Sequence, residues 1–174
     1  CLTIDLRGHA SDKEHRDTVT REDNLSDMMA AYDMLVSHPA VDPDSVVLVG
    51  SSYGGYLAAV LSALRPVRWM ALRAPALYKD DDWLVPKQNL DRQELARYRA
   101  LQLSPDSNRA LAASLLFKGD VMLVESEVDH IVPHAVIENY RTAFVRSRSM
   151  TYRVLQGADH SLSKPESSEA YTAT

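Results

Sequence analysis

The chain has 174 residues, a formal net charge of −5 and 45% hydrophobic residues. That length and apolar content suit one core, and the acidic balance gives no basic footprint for nucleic acid or an anionic membrane surface. One cysteine excludes an internal disulfide and leans toward a reducing, cytoplasmic setting, and no stretch reaches the roughly 20 apolar residues of a membrane span.

The chain opens on Cys1 rather than Met, and "CLTIDL" reads as a buried strand over residues 2–6. Residue 1 therefore reads as a cut, with room for a signal peptide or further domain upstream. Residues 8–23 are polar and loop-like. From 24 to 37, Leu25, Met28, Met29, Tyr32, Leu35 and Val36 recur at helical spacing and predict one apolar stripe. Two prolines in "HPAVDPDS" end that helix. Val46 to Val49 predict a strand buried on both faces. Residues 54–64 are apolar almost all round and predict a buried helix, and residues 67–73 a further strand.

Residues 76–117 differ in character and read as a small helical, cap-like insertion. Asp91 and Glu94 have the spacing of a capping box, and Ser104-Pro105 announces a helix ending near Lys118-Gly119. The acidic run Asp80–Asp82 reads as a solvated loop more readily than as a contact for a cationic substrate. "DVMLVES" then predicts a strand. The next helix places Val136, Ile137, Tyr140, Ala143 and Phe144 on one face, and "MTYRVLQG" predicts a last strand. Ser163, as a possible N-cap, with Pro165 and Glu166 begins a final helix that has barely two turns before the sequence ends. Strands alternating with helices predict a single α/β domain: a mostly parallel sheet covered on both faces.

Between the second strand and its helix stands "GSSYGGY". Gly50, Ser52 and Gly54 fit G-x-S-x-G in a strand–turn–helix setting, a sharp turn that lifts one hydroxyl above the sheet. Small neighbours give the strained turn room, a task assigned to Gly50 and Gly54, while Gly55 lets the helix pack closely. The helix start aims free amides and a positive dipole end near Ser52. A serine needs a base, and the base needs an orienting acid. Asp129 follows one predicted strand and His160 another, in the chain order Ser, Asp, His. Ser51 is out of frame. Asp120 lies at the wrong end of its strand. Glu125 and Glu127 remain alternative acids, and His130 and His134 sit near the acid, beside the site or on a helix start. His15 and His38 read as exposed. No cluster has metal-ligand spacing.

Taken together, "DLRGHA", "GSSYGGY", "ESEVDHIVP" and "GADHSLS" resemble the α/β-hydrolase family, in the right order and over most of the chain. The elbow is similar to those of prolyl-oligopeptidase-like and dienelactone-hydrolase-like members. The resemblance implies Ser52 as nucleophile, His160 as base, Asp129 as acid and the Tyr53 amide as part of an oxyanion hole. It makes His9 a structural loop residue. It places residues 76–117 where a lid is inserted, so Trp83, Tyr78 and Tyr98 either line a substrate pocket or form the core of that unit. It also implies that the family's N-terminal strands and the end of the last helix are missing. Residues 2–6 and 46–49 would then be separated by a gap or paired directly. The implied function is hydrolysis of a small-molecule ester, or of an amide or peptide, without a cofactor; oligomeric state is left open. A non-catalytic binding or scaffold protein on the same fold is the alternative.

Overall fold

The computed structural model describes all residues, 1–174. Four parallel strands, β1 (Val47–Ser51), β2 (Trp69–Arg73), β3 (Asp120–Ser126) and β4 (Ser149–Leu155), lie side by side in chain order. Gly50 pairs with Leu72, and Leu72 with Leu123. Six helices accompany them: α1 (Arg21–Ser37), α2 (Tyr53–Leu61), α3 (Arg92–Arg99), α4 (Arg109–Leu116), α5 (His134–Ala143) and α6 (Pro165–Thr172).

Alternation along the strands decides which side chain meets which layer. Met70, Leu72, Val121 and Leu123 point into the main core, where they meet α2 and α5. Met122 and Val124 point the other way, into a small cluster with Leu155, Leu162 and Tyr171 of α6. Helices thus cover both faces. The helical stripe of α5 is fully used: Val136, Ile137, Tyr140, Ala143 and Phe144 are all buried. α2 is buried nearly all round, because α1, α4 and the sheet each claim one of its sides.

Six expectations need correction. Residues 2–6 form no strand and no pairing with 46–49. No neighbouring strand satisfies their backbone, and Leu2 and Ile4 are exposed; Arg7 anchors the segment to α1 through Asp23 and Asp27. β1 is therefore an edge strand and is not buried on both faces: Val47 and Val49 are 51% and 68% exposed. Residues 8–23 are not all loop. They hold a 3-10 turn at Ala10–His15 and the start of α1, where Thr20 and Asp23 form a reciprocal capping box. At α3, by contrast, Asp91 accepts from the amides of Gln93 and Glu94, but the Glu94 carboxylate pairs with Lys79 instead of returning to the cap. Two helix starts are also displaced. Asn108, not Ser104, caps α4, and Lys164 stands at the N-cap of α6 because Ser163 is bonded to Asp159.

The segment 76–117 is built into the domain. α4 packs on α2 and α5, with Ala110 and Leu111 fully buried. It is held by polar contacts as well: Arg99 donates to the Leu77 carbonyl at the start of the segment and to the Ile131 carbonyl in the loop after β3.

Candidate active site

Parallel strands deliver their C-terminal ends to one edge of the sheet, where open α/β sheets form their crevices. Ser51 ends β1, Ser126 ends β3 and Leu155 ends β4. The residues following these ends are Ser52, the loop with Asp129, and the loop with His160.

Ser52 adopts φ 53° and ψ −115°, a conformation few side chains tolerate. Such a residue costs about 1–3 kcal/mol and persists only where its surroundings fix it. Here the surroundings do so. The Ser52 amide donates to the Arg73 carbonyl at 2.9 Å, and the Ser52 carbonyl accepts from Tyr56 and Ala76 at 3.1 and 3.0 Å. A side chain at Gly50 would sit 2.7 Å from the Gly54 carbonyl oxygen and 2.8 Å from Gly55 Cα. At Gly55 it would meet Pro75 at 3.0 Å. Gly54 is different, since nothing lies within 4 Å of the added carbon. The room at the elbow comes from Gly50 and Gly55, not from Gly54 as the motif suggests.

The Ser52 hydroxyl lies 2.9 Å from His160 Nε2, and His160 Nδ1 lies 2.6 Å from Asp129 Oδ2. A carboxylate only accepts, so Nδ1 carries the proton and Nε2 is free to accept from the serine. The Asp129 side chain is 2% exposed. Burial opposes its charge, but the His160 ring and the amides of Val132 and Ile131 outweigh burial and hold its pKa below the ordinary value. Tyr53 is the first residue of α2, so its amide is among those left unpaired at a helix start.

The alternatives are occupied elsewhere. Glu125 bonds His134 at 2.9 Å and the Tyr152 hydroxyl, and Glu127 accepts from the Gly157 amide at 2.7 Å. His15 pairs with Asp12, and His38 accepts from Ala40. His130 is exposed. Asp80 is tied to Arg109 and Asp120 to Arg148. Ser51 is exposed at the strand end. Tyr78 and Trp83 belong to the main core: Tyr78 stands edge-on to Tyr53 and Tyr56, and Trp83 lies under Arg109. Tyr98 is partly buried and bonds Asn108.

The sequence did not single out Arg73. Burial pushes its pKa down, its Nη1 donates to the His160 carbonyl at 3.0 Å and to Ser126 at 3.3 Å, and Tyr171 covers it. The signal was present in "WMALR", where a charge ends an otherwise apolar strand.

The model of the prolyl oligopeptidase family matches residues 2–174. A hydrolase structure from Agrobacterium vitis S4 is 21% identical with a TM-score of 0.60, over 97% of this chain and 72% of that one. Acetyl xylan esterase 1 from Thermoanaerobacterium sp. is 21% identical with a TM-score of 0.59, over 86% of this chain and 50% of that one. Pyrococcus horikoshii acylaminoacyl peptidase is 14% identical with a TM-score of 0.64, over 95% of this chain. This chain spans only 28% of that peptidase. No curated protein matches the chain.

Proposed function

The chain belongs to the prolyl oligopeptidase family, and from that premise we propose that it is a serine hydrolase that cleaves carboxylic esters through an acyl-enzyme. One observation carries the reading: the unbroken line from Ser52 through His160 to Asp129, with links of 2.9 and 2.6 Å. Ser52 attacks the substrate carbonyl while His160 Nε2 takes its proton. Asp129 holds the imidazole tautomer and stabilises the charged ring. The Tyr53 amide, with the positive end of α2 behind it, stabilises the oxyanion. The protonated His160 passes its proton to the departing alcohol, and the same base then activates water to release the acyl group.

The family match supports a second substrate class, amides or peptides, because the acyl chemistry is shared. A nitrophenyl ester and a nitroanilide of one acyl group distinguish the two. A fluorophosphonate probe tests the core of the reading: it labels the full-length gene product, and Ser52→Ala abolishes the label. Absence of labelling in the folded protein returns the chain to a binding or scaffold role.

A further inference from the structure

Beside the elbow lies a group of cations that the mechanism does not use. The Tyr78 ring is flanked by the guanidiniums of Arg21 and Arg99, at 5.1 and 5.0 Å from its centroid. The Tyr53 ring, edge-on to Tyr78, carries the Lys87 ammonium 4.4 Å from its centroid. None of the three cations has a carboxylate in ion-pair range. Arg21 is fully buried; its Nη2 donates to the Asp82 carbonyl, while its Nε and Nη1 have no hydrogen-bond partner. Buried guanidinium groups are ordinarily paired with an acid, and no carboxylate balances this one.

Lys87 is the member that a ligand can reach. It is half-buried and borders a cavity of about 50 Å³ with Arg7, His9, Arg16 and Asn24. No acid lines that cavity. Arg7 is committed to Asp23 and Asp27, and Arg16 faces Asp17 at 3.8 Å. His9 stacks on Tyr53, and its Nδ1 lies 3.1 Å from the Arg7 carbonyl. That nitrogen must donate, so Nε2 accepts from the Lys87 ammonium at 3.1 Å. One imidazole nitrogen engages one of three ammonium protons, and the ring face engages the charge without supplying an acceptor. Burial and the like charges of Arg99 and Arg21 push the Lys87 pKa down, with no acid acting against them.

We propose that Lys87, steered by His9 and the Tyr53 ring, receives a carboxylate carried by the substrate, so that the enzyme prefers esters of anionic acyl groups. The inference rests on the hydrolase reading for its substrate, but the anion site itself does not. Tyr53 directly follows Ser52, so its ring connects the cation to the elbow. An incoming carboxylate supplies the counter-charge that the cluster lacks.

The test uses the full-length gene product and two matched probes, monomethyl succinate and the neutral isostere methyl pentanoate. Calorimetry on Ser52→Ala reads binding without turnover. The anionic probe is expected to bind about tenfold or more tighter, as for a hydrogen bond to a charged group. Adding Lys87→Met is expected to erase that difference. Lys87→Arg is expected to retain part of it, which separates loss of charge from loss of fold. Lys118→Met, which removes an exposed charge at the opposite end of β3, is expected to retain all of it. Equal affinity for both probes, or a preference that survives Lys87→Met, overturns the proposal. In parallel, nitrophenyl hemisuccinate and nitrophenyl pentanoate report kcat/KM in the protein with Ser52 intact. A binding preference without turnover of either ester sustains the anion site and removes the hydrolase reading. Turnover without any preference sustains the hydrolase and removes the site.

Discussion

A left-handed backbone at Ser52 is costly, and three hydrogen bonds from β2, α2 and the segment after β2 hold it. Removing the hydroxyl leaves those bonds in place. Ser52→Ala is therefore expected to lower ester turnover by about 10⁴-fold or more with an unchanged melting temperature, whereas Ser51→Ala keeps substantial activity; kinetics and calorimetry of the two variants check this. The reverse pattern would place the nucleophile at Ser51. The elbow glycines allow a sharper test of local packing. Gly50→Ala drives a methyl into the backbone of residues 54 and 55 and is expected to destabilise by about 1–3 kcal/mol. Gly54→Ala meets open space and is expected to leave stability unchanged or raise it slightly, since alanine suits a helix better than glycine. Denaturant titration of both variants tells them apart. The motif alone cannot rank these glycines, because it counts positions along the chain while the clash depends on where α2 turns back over β1.

Among the elements, those whose apolar pattern is answered by a neighbour within the chain were the most legible. The α5 face and the strands β2, β3 and β4 follow directly from periodicity. Residues 2–6 and β1 carry equally apolar sequence, yet one forms no strand and the other stands exposed at an edge. Periodicity reports what a segment can bury, and pairing depends on what lies beside it. Trp83 illustrates the same ambiguity. An aromatic residue in a helical insertion can face a ligand or a core, and here it is 9% exposed beneath the Arg109 guanidinium, 3.8 Å from its ring centroid. Trp83→Ala is accordingly expected to cost about 3 kcal/mol or more, read as a lowered denaturation midpoint, with the ratio of rates on short and long acyl esters preserved. A shifted ratio at unchanged stability would return Trp83 to the pocket.

Across the whole molecule, the site is a product of sheet topology. Ser52, Asp129 and His160 are far apart in sequence and meet because three parallel strands end at one edge. That meeting was legible from the motifs and their order. The arginines that lock it were not, because a single buried cation has no periodicity. Arg73 fixes the His160 carbonyl, and Arg99 fixes the Ile131 carbonyl in the loop that carries Asp129. Asp129 itself accepts from Ile131 and Val132 at 2.8 Å each and from His160. Its pKa is lower in the folded chain than the ordinary 3.8, so the unfolded chain takes up the proton first on acidification. The stability it contributes is therefore fully present above the unfolded value and is lost as pH falls through the folded one. Asp129→Asn keeps the shape and removes the charge. The variant is expected to melt below the parent at neutral pH, and the gap to narrow as pH drops below about 4, where the unfolded parent takes up a proton on Asp129 while the folded carboxylate is still charged. Turnover at neutral pH should fall on the order of 10⁴-fold, because an amide at this position favours the wrong imidazole tautomer. Melting curves of both proteins from pH 7 to pH 3 supply the comparison. A gap that stays constant through that range would mean that Asp129 does not hold its loop through its charge.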